Sequence, residues 1–170
     1  MWLENGKTIL FGLVGGYAGV ELMKWVMGVR VKTEDSFAAP VATAVGLRRW
    51  SCFGAGCCYG TETKAPWGVD FGDGLRRHPT QVYESIFHIS VAVMLAWFQR
   101  RGWFKGQLMK LYIICYLIYR YVSEFIRPEA VTAGGMTGYQ WACLGLAPVF
   151  VGLWVRDGSG VETQFPSDTS

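Results

Sequence analysis

Thr8-Ile-Leu-Phe-Gly-Leu-Val-Gly-Gly-Tyr-Ala-Gly-Val-Glu-Leu-Met-Lys-Trp-Val-Met-Gly-Val29 carries only two charged side chains, Glu21 and Lys24, in about 22 positions. As a helix rising ~1.5 Å per residue, such a run crosses a ~30 Å hydrocarbon core. Gly12, Gly15, Gly16, Ala18 and Gly19 permit close helix packing within it. Three more runs read the same way: Pro79–Phe98, Leu108–Phe125 and Met136–Val155. Ser36–Leu47 is apolar but shorter, so a half-span, a re-entrant segment and a tilted helix all remain open for it. The expected fold is all-α: a polytopic transmembrane bundle of about five segments, one of them short or re-entrant.

Composition agrees. Charged residues make up 17% of the chain, below the roughly 25% of soluble domains, and hydrophobic residues 51%. A net charge of +3 is too small to argue for a nucleic-acid partner. Met1-Trp-Leu-Glu-Asn5 lacks a basic leader, so the first run is expected to stay as a span. Residues 1–156 read as one transmembrane domain without internal repeats, and 157–170 as a disordered polar tail. Lys24, in the last part of the first run, groups with Arg30 and Lys32 after it; Arg100, Arg101 and Lys105 follow the third run, and Arg156 the fifth. Basic loops favour the cytoplasm, which predicts an outer N-terminus and a cytoplasmic C-terminus. Arg48, Arg49, Arg76 and Arg77 then fall on the outer side and need another explanation.

Three constellations gather there. In Gly46-Leu-Arg-Arg-Trp-Ser-Cys-Phe-Gly-Ala-Gly-Cys-Cys-Tyr-Gly60, small residues let the backbone approach a neighbour or a ligand. Arg49, at the end of an apolar segment, must snorkel, pair or face an anion. Cys52, Cys57 and Cys58 admit a disulfide, zinc ligation with His78, or simple packing. Cys-x4-Cys-Cys is not a recognised zinc spacing, so packing or a disulfide is expected, with neither metal nor cofactor. In Arg77-His-Pro-Thr-Gln-Val-Tyr-Glu84, Pro79 suits a first helical turn, while Gln81, Glu84 and His88 share one face. In the third, Tyr116, Arg120, Glu124 and Arg127 are spaced by four, four and three, hence on one stripe. An Arg120–Glu124 pair gains little over apolar packing if buried, so its placement in a membrane favours function. Gln140 can complete the polar pocket. Cys115 and Cys143 read as small apolar residues.

Arginines at headgroup level suit a phosphodiester, whose oxygens a guanidinium fork binds bidentately. The same forks stabilise charge on a departing phosphate, and an acceptor would need a general base. That chemistry is a phospholipid-using transferase.

At these residues the chain resembles the prolipoprotein diacylglyceryl transferase family. Arg49 through Gly60 is similar to its Gly-Arg-x-Gly-Asn-Phe…Gly signature. Arg77-His-Pro-Thr-Gln-Val-Tyr-Glu84 resembles its Arg-His-Pro-Ser-Gln-Leu-Tyr-Glu motif. Arg120-x-x-x-Glu124-Phe-x-Arg127 is similar to its Arg-x-x-x-Glu-Phe-x-Arg helix, and Thr137-Gly-Tyr-Gln140 to the turn that follows it. The resemblance implies transfer of diacylglyceryl from phosphatidylglycerol to a prolipoprotein cysteine thiol, or a related acceptor, at the outer face of the cell (plasma or inner) membrane. Arg49, Arg120 and Glu124 are then catalytic, with His78 a candidate base. Gly60, Gln81, Tyr83, Glu84, Arg127 and Gln140 bind substrate. The chain departs from the pattern where Cys52 replaces an asparagine, Cys57 an acid and Leu10 a histidine. Alternative readings are a related transferase with another acceptor, a non-enzymatic lipid-binding or transport subunit, and a thiol–disulfide protein.

Overall fold

In a computed structural model the described residues, 9–28, 34–127 and 133–159, form five α-helices and one small head. The helices are α1 (Ile9–Met27), α2 (Glu34–Gly54), α3 (Thr80–Arg101), α4 (Leu108–Ser123) and α5 (Gly138–Ser159). Between α2 and α3 lies a hairpin of β1 (Val69–Asp70) and β2 (Arg76–Arg77), antiparallel with Val69 opposite Arg77. By length and hydropathy α1, α3 and α5 can each cross a membrane. The 22 residues of α3 extend about 33 Å. Outward apolar side chains such as Phe11, Val26, Ile86, Val93, Val149 and Val155 stay more than half exposed, as lipid-facing residues do.

The segment expected to be short is a 21-residue helix, α2. It continues through Arg48 and Arg49 because Arg49 finds a carboxylate partner instead of needing water. Cys52 consequently belongs to a helix and not to the glycine-rich loop. Where α2 packs on α3, a Cβ on Gly46 would meet Ile89 at 3.1 Å and His88 at 3.2 Å, so a side chain there would push the helices apart. Leu95, Tyr112, Ile113, Leu117, Ala38 and Ala42 fill the interior of the bundle. His88 is a core residue, joined to the Tyr112 hydroxyl through Nδ1 at 2.9 Å.

Polar groups collect at the two ends of the helices. At one end Asp35 accepts the Leu108 N–H at 3.1 Å and the Gly106 N–H, capping the start of α4. Buried Lys110 pairs there with Asp157 at 3.1 Å. The final helix therefore runs through Asp157 to Ser159, three residues into the expected tail. The rest of that tail lies outside the described residues, as do Thr8, Val29, Arg30 and Lys32. Glu21, the acid within the first span, pairs with Lys24 at 3.0 Å. The opposite end holds the head and a second, larger set of charges.

Candidate functional site

Glu84, in the second turn of α3 and 1% exposed, is the centre of that set. Arg49, from the last turns of α2, donates from Nη2 to Glu84 Oε1 at 2.6 Å. Arg127, just past α4, donates from Nη2 to Glu84 Oε2 at 2.8 Å. The Tyr116 hydroxyl adds a longer contact to Oε1 at 3.4 Å. Beside them Arg120 Nη2 lies 2.9 Å from Glu124 Oε2. The Thr137 hydroxyl donates to Glu124 Oε1 at 2.8 Å. Gln140 folds back to accept the Thr137 N–H at 3.0 Å. The Arg120 guanidinium rests 4.5 Å from the centre of the Tyr139 ring. Arg49, Tyr116, Arg120, Arg127 and Tyr139 line one cleft, closed on its apolar side by Ile9 and Leu10 of α1.

The charge balance identifies what the cleft suits. Among the described residues, three guanidiniums meet two carboxylates. Arg49 Nε and Arg127 Nε are buried donors without a hydrogen-bond partner among the described residues. Unpartnered cationic donors within a bundle are costly. An anion in the cleft would relieve them by bidentate hydrogen bonding.

Of the expected site residues, Arg49, Arg120 and Arg127 line this cleft. Glu84, Glu124 and Gln140 support it from behind. The remaining ones build the head. Gln81 donates to the Cys57 carbonyl at 2.5 Å and Thr80 to the Cys58 carbonyl at 2.7 Å. Gly60 packs so tightly that a Cβ would lie 2.7 Å from the Ile126 carbonyl oxygen. His78 Nδ1 is 3.2 Å from the Tyr83 hydroxyl, which also accepts the Trp67 indole N–H at 2.8 Å. His78 is not among the cleft residues.

The arginines expected on the outer side also divide. Arg48 and Arg76 are exposed. Arg77 bonds to Asp73 at 2.6 Å and lies over the Tyr59 ring, so neither Arg76 nor Arg77 joins the anion-binding set. The Arg77 hydrogen bond holds the Asp73 carboxyl below its ordinary range. All five cysteines are free thiols, so the expected disulfide is not formed. Partial desolvation and the Cys58 thiol beside it push the Cys57 thiol up to about 11. Sequence reasoning missed Tyr139 and the Thr137 hydroxyl, although both lie inside the Thr137–Gln140 turn. It also missed Ile9, which carries no polar signal, and had marked Leu10 only as the position of a replaced histidine.

An all-helical bundle with three helices of membrane-crossing length and a cationic cleft at one polar end defines an integral membrane protein. The sequence model of the prolipoprotein diacylglyceryl transferase family matches residues 4–156, and the chain belongs to that family. It is accordingly a multi-pass membrane protein. It is 38% identical over 137 residues to the phosphatidylglycerol–prolipoprotein diacylglyceryl transferase of Clostridium tetani, covering 75% of this chain and 54% of that one. To the enzyme numbered 2 of Clostridium perfringens it is 34% identical, over 74% of this chain and 52% of the relative. To that of Bordetella avium it is 31% identical, over 89% and 60%. The chain thus spans between half and two thirds of the length of these relatives. No solved structure matches it.

Proposed function

We propose that the chain transfers the diacylglyceryl group of phosphatidylglycerol to a cysteine thiol of a prolipoprotein, at the outer face of the cell membrane. One observation carries this reading: among the described residues three guanidiniums share two carboxylates around one cleft, leaving Arg49 Nε and Arg127 Nε unpartnered there. The lipid phosphate supplies the missing negative charge, and its acyl chains lie against the apolar side of the cleft at Ile9 and Leu10. In the transfer, the acceptor sulfur attacks the glyceryl carbon and a C–S bond forms. The C–O bond to phosphate breaks, with its electron pair going to the phosphate oxygen. The thiol proton passes to the departing glycerol phosphate or to water. Arg49, Arg120 and Arg127 stabilise the charge on that leaving group. Glu84 and Glu124 hold the guanidiniums in position. The orientation puts this end, the head and the N-terminus outside, with the C-terminus in the cytoplasm.

The test uses the full chain in phosphatidylglycerol liposomes with a lipobox peptide, read by mass spectrometry. Wild type should add a diacylglyceryl mass to the peptide cysteine. Arg120→Lys keeps the charge but loses the fork, and should slow transfer by about a hundredfold or more. Lipid held without adduct or glycerol phosphate release would replace this reading with a lipid-binding subunit.

A further inference from the structure

Cys52, Cys57 and Cys58 bring their sulfur atoms within 4.8 Å of one another, and the backbone explains why. Helix α2 ends in a Schellman motif: the Cys57 N–H returns to the Cys52 carbonyl at 3.1 Å, and the Gly56 N–H to that of Phe53 at 3.1 Å. Gly56 takes the left-handed conformation this requires, at φ 62°. The motif sets the residue after the glycine against the third-last residue of the helix, a contact usually made by apolar side chains. Here both positions are cysteines. Cys58 is itself left-handed, at φ 64°, an uncommon conformation for a residue with a side chain, and its sulfur lies 3.7 Å from that of Cys57. The Cys57 and Cys58 carbonyls are anchored by Gln81 and Thr80, each 1% exposed, from the first turn of α3. Three thiols are thus gathered on a backbone fixed from both sides.

We infer that these three cysteines form a Zn2+ site whose fourth position is open to an exogenous thiol. Zinc–sulfur bonds of ~2.3 Å place tetrahedral sulfurs about 3.8 Å apart. The Cys57–Cys58 separation already meets that value, and the widest sulfur separation needs only a modest contraction. His78, engaged with Tyr83, is not a member of the group. Binding displaces three thiol protons, and three thiolates around Zn2+ carry one net negative charge. Arg49 Nη1, 3.9 Å from Cys52 Sγ, lies where it balances that charge. Cys57 is exposed, so a fourth ligand can reach the metal from outside. A thiol binding there would lose its proton to water and be held as thiolate. On the transferase reading above, on which this last step rests, that ligand is the acceptor cysteine, delivered next to Arg49.

The experiment uses the full chain, reduced and in detergent, loaded with Zn2+ or Co2+ and then desalted. Metal analysis should find about one equivalent, and the Co2+ form should show thiolate-to-metal charge transfer. The Cys52→Ser/Cys57→Ser/Cys58→Ser variant should lose at least ten-fold in retained metal, while Cys115→Ser/Cys143→Ser retains it. A lipobox peptide should shift the cobalt spectrum, and its Cys→Ser counterpart should not. Free, titratable thiols with no retained metal, or equal metal in the triple variant, would overturn the site. A spectrum indifferent to the peptide would overturn the open position. Because metal is read without turnover, transfer without metal refutes only the site, and metal without transfer refutes only the transferase reading.

Discussion

Glu84 holds two guanidiniums at once, one from α2 and one from just past α4, and is buried. A buried ion pair gains little over apolar packing, yet removing one partner strands the other charge. Glu84→Gln would leave Arg49 and Arg127 facing each other across a neutral amide. The expected loss is about 3–5 kcal/mol in unfolding free energy, read by denaturant titration in micelles. Arg127→Gln removes one of two cations from Glu84 and should cost less. The stripe of Tyr116, Arg120, Glu124 and Arg127 was legible because helical spacing alone places residues on one face. The Glu84 hub was not, since its partners lie 35 and 43 residues away and no periodic pattern connects them. The arginines were readable as anion binders, but which of the outer ones serve depended on neighbours. Arg77 is taken by Asp73, four residues earlier.

The elements that shape the cleft are the helix ends, where local rules and long-range contacts meet. Gly60 is fixed between α3 and the turn after α4: its N–H donates to the His78 carbonyl at 2.8 Å, and the Thr61 N–H to that of Ile126 at 2.9 Å. A methyl at Gly60 would lie 2.7 Å from the Ile126 carbonyl oxygen and 2.8 Å from Thr80 Cγ2. Neither neighbour is a flexible side-chain tip. Gly60→Ala should therefore cost about 1–3 kcal/mol, as overpacking does, and spread the head from the Arg127 turn. Faster hydrogen exchange at Thr61 and His78 would report it, and unchanged exchange would contradict it. Of the long apolar runs, Leu108–Phe125 matched its helix best, α4 starting at Leu108 and ending at Ser123, whereas α5 runs four residues past the expected Val155 because Asp157 pairs with Lys110. Of the readings left open for Ser36–Leu47, the structure has the helix completed by neighbouring residues: α2 runs from Glu34 to Gly54, past Arg48 and Arg49, because Arg49 has a carboxylate partner on α3. Gly56 was a readable stop signal for that helix, and its Schellman geometry was the clue that Cys52 and Cys57 converge.

On the scale of the whole molecule, the antiparallel helices sort the charges to two ends. One end exposes Arg100, Arg101 and Lys105, and holds the Lys110–Asp157 pair. The other carries the cleft and a head with Lys64 and Arg76 exposed. Because positive charge occurs at both ends, the charge rule gives an orientation only once the cleft and head arginines are set aside as functional or structural. What remains, Arg100, Arg101 and Lys105, is the basis of the proposed orientation, in which the head faces outward. Trypsin added to intact spheroplasts should then cut at Lys64 and Arg76 and leave a carboxyl-terminal tag attached to α3–α5. Added to inverted vesicles, it should cut between α3 and α4 and remove the tag, while the head stays whole. The fragments differ enough in size to separate on a gel. Cleavage between α3 and α4 in the spheroplasts would invert the orientation. It would also move the cleft to the cytoplasmic face, where a lipoprotein precursor that has crossed the membrane could not reach it.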